Sequence, residues 1–325
     1  MNFHAFAAHT PGARLKPFAY EPQPLGPFEV EILITHCGIC HSDVHLVDGD
    51  WGEVHPVVPG HEIIGMVEQA GPHAIATPGW RVGAGWQRGS CGICPWCRSG
   101  GENMCPASQA TCMGHFGGFA DRIRIDSRFV FRIPDALSSA ETAPLLCGGA
   151  TVYTPLRRHA RPWMRVGVIG VGGLGHLALQ FASRMGCEVT AFSRKKDKEK
   201  QAREFGAHHF CTKPSKAHAL DVILNTSNAG VPYEDYIQLL RPEGVLVQLG
   251  ADPAPIAVGA MPLIIGNRSL CGSAIGSPAV IREMLEFAAR HGIRSQVELR
   301  PMRDCHAALD RTRKNRARFR MVLEN

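Results

Sequence analysis

The sequence has no apolar run approaching the ~18 residues that a membrane-spanning helix needs. Its opening stretch, MNFHAFAAHTPGARLKPF, has neither the basic start nor the apolar core of a secretory signal, so the expectation is a cytoplasmic protein without a membrane anchor. No internal repeat and no low-complexity linker occurs, which excludes repeat architectures and flexibly tethered modules. What remains is ordinary globular composition, 20% charged and 45% hydrophobic. At 325 residues the chain exceeds the ~250 to 300 at which single cores stop growing, so two domains are expected. Disulfides have little place in a reducing compartment, and the twelve cysteines therefore point to metal binding or redox chemistry. A formal charge of +6 fits a nucleic-acid binder and an enzyme with a polyanionic cofactor equally well, and decides nothing alone.

The strongest local signal is the run from Val166 to His176, VGVIGVGGLGH. It reads as a strand breaking into the turn Gly170, Gly172, Gly173, Leu174, Gly175 and continuing as a helix. Gly170 permits a tight turn, Gly172 lets backbone approach a pyrophosphate, and Gly175 lets the helix pack closely on the sheet, with its first N–H groups facing the phosphates. Leu174, Leu177, Ala178, Phe181 and Met185 recur at helical spacing, Gly186 stops the helix, and Cys187 to Phe192 is the next apolar run. Strand, turn, helix and strand together raise a short glycine motif to a dinucleotide-binding unit.

That second strand ends Ser193-Arg194-Lys195-Lys196, with no carboxylate before Asp197. Turns that prefer NAD place an acid there for the ribose hydroxyls. Here Ser193, Arg194 and Lys195 suit the 2′-phosphate of NADP(H), unless the basic run is only the solvated start of a helix and Asp197 turns inward.

Before this unit, short β-like runs and turn residues dominate. Val30, Ile32 and Ile34 alternate with Glu29, Glu31 and Leu33, and Ile63 to Val67 forms a second run. From Gly148 onward strands and helices alternate, with apolar runs Val222 to Leu224 and Val245 to Leu249 around a helical Tyr233 to Leu240, the pattern of a parallel sheet covered on both faces. Ser277-Pro278 starts a further helix through Ile281, Met284, Leu285 and Ala288, ending before Gly292. The short tail is expected to return to the first domain. The domain reading is 1–148, 149–274 and 275–325.

Cys91, Cys94, Cys97 and Cys105 are spaced to enclose a tetrahedral Zn²⁺ with no open position, a structural site. An iron–sulfur cluster is the competitor, since CxxCxxC and Cys105-Pro106 echo ferredoxins, though their last spacing is shorter. Cys40-His41-Ser42-Asp43 and Gly60-His61-Glu62 each read as following a strand, where loops carry ligands. A third thiolate from Cys147 would complete a Cys₂His site with one open position, but spacing alone does not select Cys147, nor does it show that Cys40 and His61 share an ion.

Taken together, Cys40-His41-Ser42-Asp43-Val44-His45, Gly60-His61-Glu62, the four-cysteine lobe, Leu145-Leu146-Cys147-Gly148-Gly149-Ala150-Thr151-Val152-Tyr153 and the glycine turn resemble the zinc-dependent medium-chain alcohol dehydrogenases. The likeness is greatest to their cinnamyl-alcohol-dehydrogenase branch. The resemblance implies an α/β plus β-rich fold, with a Rossmann doubly wound parallel-sheet domain inserted in a GroES-like catalytic domain and the active site in the cleft between them. It implies catalytic zinc on Cys40, His61 and Cys147, the ligand set for which alcohol dehydrogenases are known, with Glu62 as alternate ligand or neighbouring carboxylate and Asp43 holding His61. It places His41, Thr151, Ser273, Ile275 and Arg320 against the cofactor, although Arg320 ends a run of six basic residues of a kind that is usually solvated. It sets Trp51, and with it Trp86, in the substrate pocket, either of which could instead be ordinary core. The chain looks shorter than many members of that family between Cys105 and Gly117-Gly118-Phe119, which trims a loop near the cleft.

The resulting expectation is a cytoplasmic alcohol dehydrogenase or aldehyde reductase with two zinc ions per chain, NADP(H) and a small alcohol or aldehyde as partner. Ser42 and His45 would relay the substrate proton to solvent. A homodimer or homotetramer follows from the resemblance. A non-catalytic nucleotide sensor that keeps the structural zinc is the alternative, weakened by the intact Cys40, Ser42, His61 and Cys147. A nucleic-acid role, resting on the basic tail and the cysteine lobe, is weaker still.

Overall fold

The computed structural model describes residues 2–52, 54–214, 219–228, 230–251 and 254–325. The chain divides into two units, one of Met1–Cys147, Gly276–Arg290 and Arg294–Asn325, the other of Gly148–Ile275 and His291–Ile293.

The strand Glu29–Ile39 organises the first unit. Val30, Ile32 and Ile34 are fully buried as their alternation predicts, but Glu31 is buried too. It is held at 2.6 Å by Arg124 of the antiparallel strand Arg122–Asp126, the pairing a buried carboxylate requires. Register shifts against Glu62–Ala70 divide the long strand. Its first half pairs with Arg122–Asp126 and its second half with Arg320–Glu324, so the chain's last strand becomes part of the first unit's sheet. Arg320–Glu324 in turn pairs parallel to Val297–Pro301.

In the second unit the described strands stand in the order His209–Cys211, Glu188–Phe192, Arg165–Ile169, Leu220–Asn225, Leu240–Gln248, Ser269–Gly272, all parallel. Numbered along the chain this is 3-2-1-4-5-6, which reverses direction between Arg165–Ile169 and Leu220–Asn225 and opens a crevice at their carboxyl ends. Val166, Val168, Val189, Val222, Ile223, Leu246 and Val247 are buried, as strands covered on both faces must be. The expected helix from Tyr233 to Leu240 is shorter. It runs Tyr233–Ile237, and Leu240 already belongs to the strand Leu240–Gln248, where it pairs with Leu220. Tyr233, Tyr236, Ile237 and Leu240 are all buried, so apolar spacing alone did not separate the helix from the start of the strand. The helix Pro278–His291 buries Ile281, Met284, Leu285 and Ala288 and stops at Gly292, whose φ is +67°. Among the described residues no helix is long and apolar enough to cross a membrane.

Candidate active site and metal centres

His61 does not follow a strand, as its neighbourhood suggested; it immediately precedes one, Glu62–Ala70. The physical consequence is favourable. In an antiparallel pair the end of one strand lies beside the start of the next, and Gly38 pairs with Glu62. Cys40, just past Glu29–Ile39, therefore meets His61 at one end of the sheet.

Asp43 fixes this meeting. It is fully buried and sits in the first turn of the helix His41–Asp48, which Cys40 caps. Its Oδ2 accepts the Cys40 N–H at 2.9 Å, and its Oδ1 accepts the Gly60 N–H at 2.8 Å and bonds His61 Nδ1 at 2.9 Å. Gly60 itself has φ +105°, and a Cβ there would strike Phe119 and the Cys37 sulfur, so only glycine makes this turn. With Nδ1 engaged by a carboxylate, His61 Nε2 is left buried and without a hydrogen-bond partner.

Cys147 arrives from 107 residues away in sequence, after the buried turn Ala143–Leu146, and its Sγ lies 3.9 Å from that of Cys40. Ligand atoms of Cys40, His61, Glu62 and Cys147 all lie within 4.8 Å of one another. A tetrahedral zinc with ~2.3 Å bonds to sulfur would separate its sulfurs by ~3.8 Å, so the observed spacing fits such an ion. Glu62 pairs through Oε1 with Arg320, which is 5% exposed, while Oε2 is buried and unpartnered. Arg320 thus leaves the solvated basic run to which sequence reasoning could have assigned it.

The ionisable groups of this set shift one another: as Cys40 goes down, its neighbour Cys147 is pushed up by it and by burial. The Cys147 thiol, aided by His61 and Arg320 against the effect of burial, holds Cys40 well below the ordinary thiol range. Burial pushes Glu62 up to about 7, opposed by Arg320. Burial works against a charged His61, but Asp43 and Cys147 outweigh it and raise that ring well above its usual value. A dication among these donors would displace their protons, the ordinary coupling of metal binding to proton release.

The second cysteine set is local. Cys94 caps the short helix Pro95–Arg98 and its sulfur accepts the Cys97 N–H at 3.5 Å, while Cys91 Sγ lies 3.5 Å from Cys105 and 3.9 Å from Cys97. All four sulfurs fall within 4.8 Å of one another. The N–H groups of Ile93 and Cys94 lower Cys91 to about 6, favouring the thiolate that binds metal. Gln87 ties the lobe down through Gly89, Glu102 and Ser108.

Around the first set, Ser42 Oγ is 3.7 Å from Cys40 Sγ. Among the described residues no hydrogen bond joins Ser42 to His45. His45 instead bonds Asp50 Oδ2 through Nδ1 at 2.7 Å and stacks on Trp51 at 5.1 Å, leaving Nε2 without a partner. Trp86 meets Trp51 edge-on at 5.8 Å and His61 at 5.0 Å, so both tryptophans flank the candidate metal site. Burial lowers the pKa of His41, against the opposing influence of Cys40. Asp50 was missed in the sequence. It lies beyond the helix end, where no periodicity points back to His45. Cys112 was missed likewise: it is buried, donates to Gly60 O at 3.1 Å, and lies with Asp43 and His61 in a third potential ligand group.

In the second unit Gly170 has φ +92° and donates to Phe192 O at 2.9 Å, while a Cβ on Gly175 would collide with the Gly170 carbonyl. Gly172 faces open space, as close approach of a ligand to the backbone requires. Gly173 and Leu174 complete the turn into the helix Gly175–Arg184. A cavity of about 220 Å³ borders Gly170, Ser193, Arg194, Lys195 and Tyr236, whereas Asp197 is exposed on the short turn Lys196–Lys198. Thr151 lies in the helix Gly148–His159, and Ser273 and Ile275 follow the strand Ser269–Gly272.

Residues 26–135 match the model of the alcohol dehydrogenase GroES-like domain and residues 173–290 that of the zinc-binding dehydrogenases. The chain is 39% identical to an aldehyde reductase of Synechocystis sp., over 99% of this chain and 98% of the relative. It is 37% identical to a probable cinnamyl alcohol dehydrogenase of Oryza sativa subsp. japonica, covering 98% and 92%. Among solved structures, a cinnamyl alcohol dehydrogenase of Sorghum bicolor superposes with TM-score 0.94 at 35% identity, covering 100% and 98%. A Helicobacter pylori structure described as CAD complexed with NADP(H) does so with TM-score 0.93 at 32% identity, with the same coverage.

Proposed function

This chain belongs to the medium-chain zinc-binding alcohol dehydrogenases, in their cinnamyl-alcohol-dehydrogenase-like branch, and we propose that it is a zinc- and NADP(H)-dependent enzyme interconverting an alcohol and its aldehyde. The family's GroES-like and Rossmann-like folds correspond to the two units described above. The single observation that carries the proposal is the convergence of the partly buried Cys40 with the buried His61 and Cys147, with His61 Nε2 and Glu62 Oε2 unpartnered beside the thiols.

When bound there, zinc supplies Lewis acidity at the substrate oxygen, and NADP(H) supplies or accepts the hydride. Cys40, Cys147 and His61 hold the ion, and Asp43 fixes the orientation of the His61 ring. Arg320 neutralises Glu62 and so keeps this carboxylate available as an alternate ligand. Ser42 takes or returns the substrate hydroxyl proton. His45 passes it toward solvent, its ring held by Asp50 and Trp51. Trp51 and Trp86 give the substrate an apolar, aromatic wall. In the second unit Ser193, Arg194 and Lys195, which border one cavity with Gly170, receive the 2′-phosphate, and the glycine turn, with Thr151, Ser273 and Ile275, receives the rest of the cofactor. The four-cysteine lobe holds a second, structural zinc. Cytoplasmic residence and assembly as a homodimer or homotetramer complete the proposal.

The test is NADPH oxidation against aliphatic and aromatic aldehydes with zinc analysis on the same sample. Two zinc ions per chain and activity lost on chelation are expected. Full activity in protein stripped of the more labile zinc would refute the proposal.

A further inference from the structure

A cavity of about 590 Å³ in the first unit lies outside both cysteine sets and has no part in the chemistry above. Its volume is that of a small-molecule site. Its lining is mixed. Part of it is aromatic: Tyr20 and Phe116 lie against each other with ring centroids 4.6 Å apart, and Phe3 meets Tyr20 edge-on at 5.7 Å. Arg88, half-buried in the strand Gln87–Gly89, also borders it.

Arg88 is the unusual feature. Among the described residues its guanidinium makes no hydrogen bond and no ion pair, and its Nε is buried without a partner. A partly desolvated cation left in this way is costly, and arginine offers a planar fork that matches a carboxylate. The other charges in the cavity are largely committed. Arg124 is held by Glu31 at 2.6 Å and by the Gln23 carbonyl. Glu29 accepts the Gly26 N–H at 2.8 Å and acts on Arg88 only from beyond ion-pair distance. Glu21 is exposed. His115 also lines the cavity; burial, and after it the Arg88 charge, lower its pKa against the opposing charge of Glu29.

We propose that this cavity binds a small aromatic carboxylate, its anion paired with Arg88 and its ring against Tyr20 and Phe116. The anion of such a ligand meets a guanidinium that has no partner, and its ring extends an aromatic cluster already formed by Tyr20 and Phe116. A neutral aromatic would leave Arg88 unpaired, and an aliphatic acid would leave the aromatic wall uncovered.

The probes are 2-naphthoate and its amide, titrated by calorimetry into the zinc-loaded full-length protein. The acid is expected to bind at least about tenfold more tightly than the amide, and Arg88→Met to weaken the acid at least about tenfold, the worth of one charge-assisted pair. Phe116→Ala should weaken acid and amide alike. Aldehyde turnover by Arg88→Met should be unchanged, because Arg88 takes no part in the reaction. Equal affinity of Arg88→Met and wild type would overturn the proposal by placing the acid elsewhere, at the metal centre first of all. Equal affinity of acid and amide, or no binding at low-millimolar concentration, would overturn it in the wild type alone, without reliance on any variant.

Discussion

Substituting Asp43 by asparagine removes one charge and almost no volume, from a side chain that is fully buried and accepts three hydrogen bonds. An amide has only one acceptor oxygen. If that oxygen faces Gly60 and His61, the NH₂ group confronts the Cys40 N–H and the helix His41–Asp48 loses its cap. If it faces Cys40, the NH₂ group confronts the Gly60 N–H, and the His61 ring loses the acceptor that orients it. Either way at least one buried donor goes unsatisfied, at about 1 to 3 kcal/mol, and the bond to His61 loses its ionic character. Loss of a carboxylate that holds a ligating histidine typically weakens the metal ~10- to 100-fold, or about 1.4 to 2.7 kcal/mol. The assay is zinc retention against a graded chelator, with kcat/KM measured on the same samples. Asp43→Asn should surrender one zinc at chelator concentrations that leave the wild type loaded, retain the second, and lose activity in step with the first. Wild-type retention of both ions with kcat/KM unchanged would refute the reasoning, because it would mean that the three hydrogen bonds do not position His61.

The two cysteine sets should respond differently: Cys94→Ser lowers the melting temperature and zinc content together, whereas Cys40→Ser loses activity with the fold largely kept. A Cys94→Ser protein of normal stability and full zinc content would refute the structural assignment. Ser42→Ala should lower turnover by ~10²- to 10⁴-fold, the usual worth of a positioned proton-transfer group. Asp50→Asn should cost less and alter the pH profile of alcohol oxidation with little change in KM; wild-type turnover and profile in both would remove the relay. Arg194→Ala should lower the ratio of kcat/KM for NADPH over NADH by about 10- to 100-fold, as loss of charge-assisted bonds to a phosphate predicts, and an unchanged ratio would remove that arginine from the cofactor. In zinc-stripped protein, burial raises Glu62 to about 7 from 4.5, so its ionisation costs stability as pH rises across that interval, up to about 3 kcal/mol in the raised-pKa direction. Glu62→Gln does not titrate, and denaturant melts from pH 4.5 to 7.5 should show the wild type losing ground to it; a pH-independent difference would contradict the shift.

The features legible in the sequence are those whose geometry is set within a few residues. The turn at Gly170, Gly172 and Gly175 is one, because positive φ at Gly170 and the missing Cβ at Gly175 are requirements on single residues. The cysteine lobe is another, since Cys91 to Cys105 span so little chain that four thiols can scarcely avoid one another. The helix Pro278–His291 announced both ends, with a proline at its start and a glycine at its stop. The resemblance to a family supplied Cys147, Glu62 and Arg320, which the residues alone could not select. Tertiary structure decided the rest. Cys147 reaches Cys40 across 107 residues because a buried apolar turn delivers it, and many other segments are equally apolar. His61 stands before its strand, and joins Cys40 through antiparallel register, which hydropathy does not encode. Asp43 holds Cys40, Gly60 and His61, Asp50 holds His45, and Arg320 turns inward from a basic run to Glu62. The tail enters the first sheet beside Glu29–Ile39. A local pattern specifies backbone conformation, because the forces that choose it act within a turn or two of chain. Which polar groups share one buried site depends on strand pairing and on the burial of apolar surface, and these become definite only when the whole chain has packed.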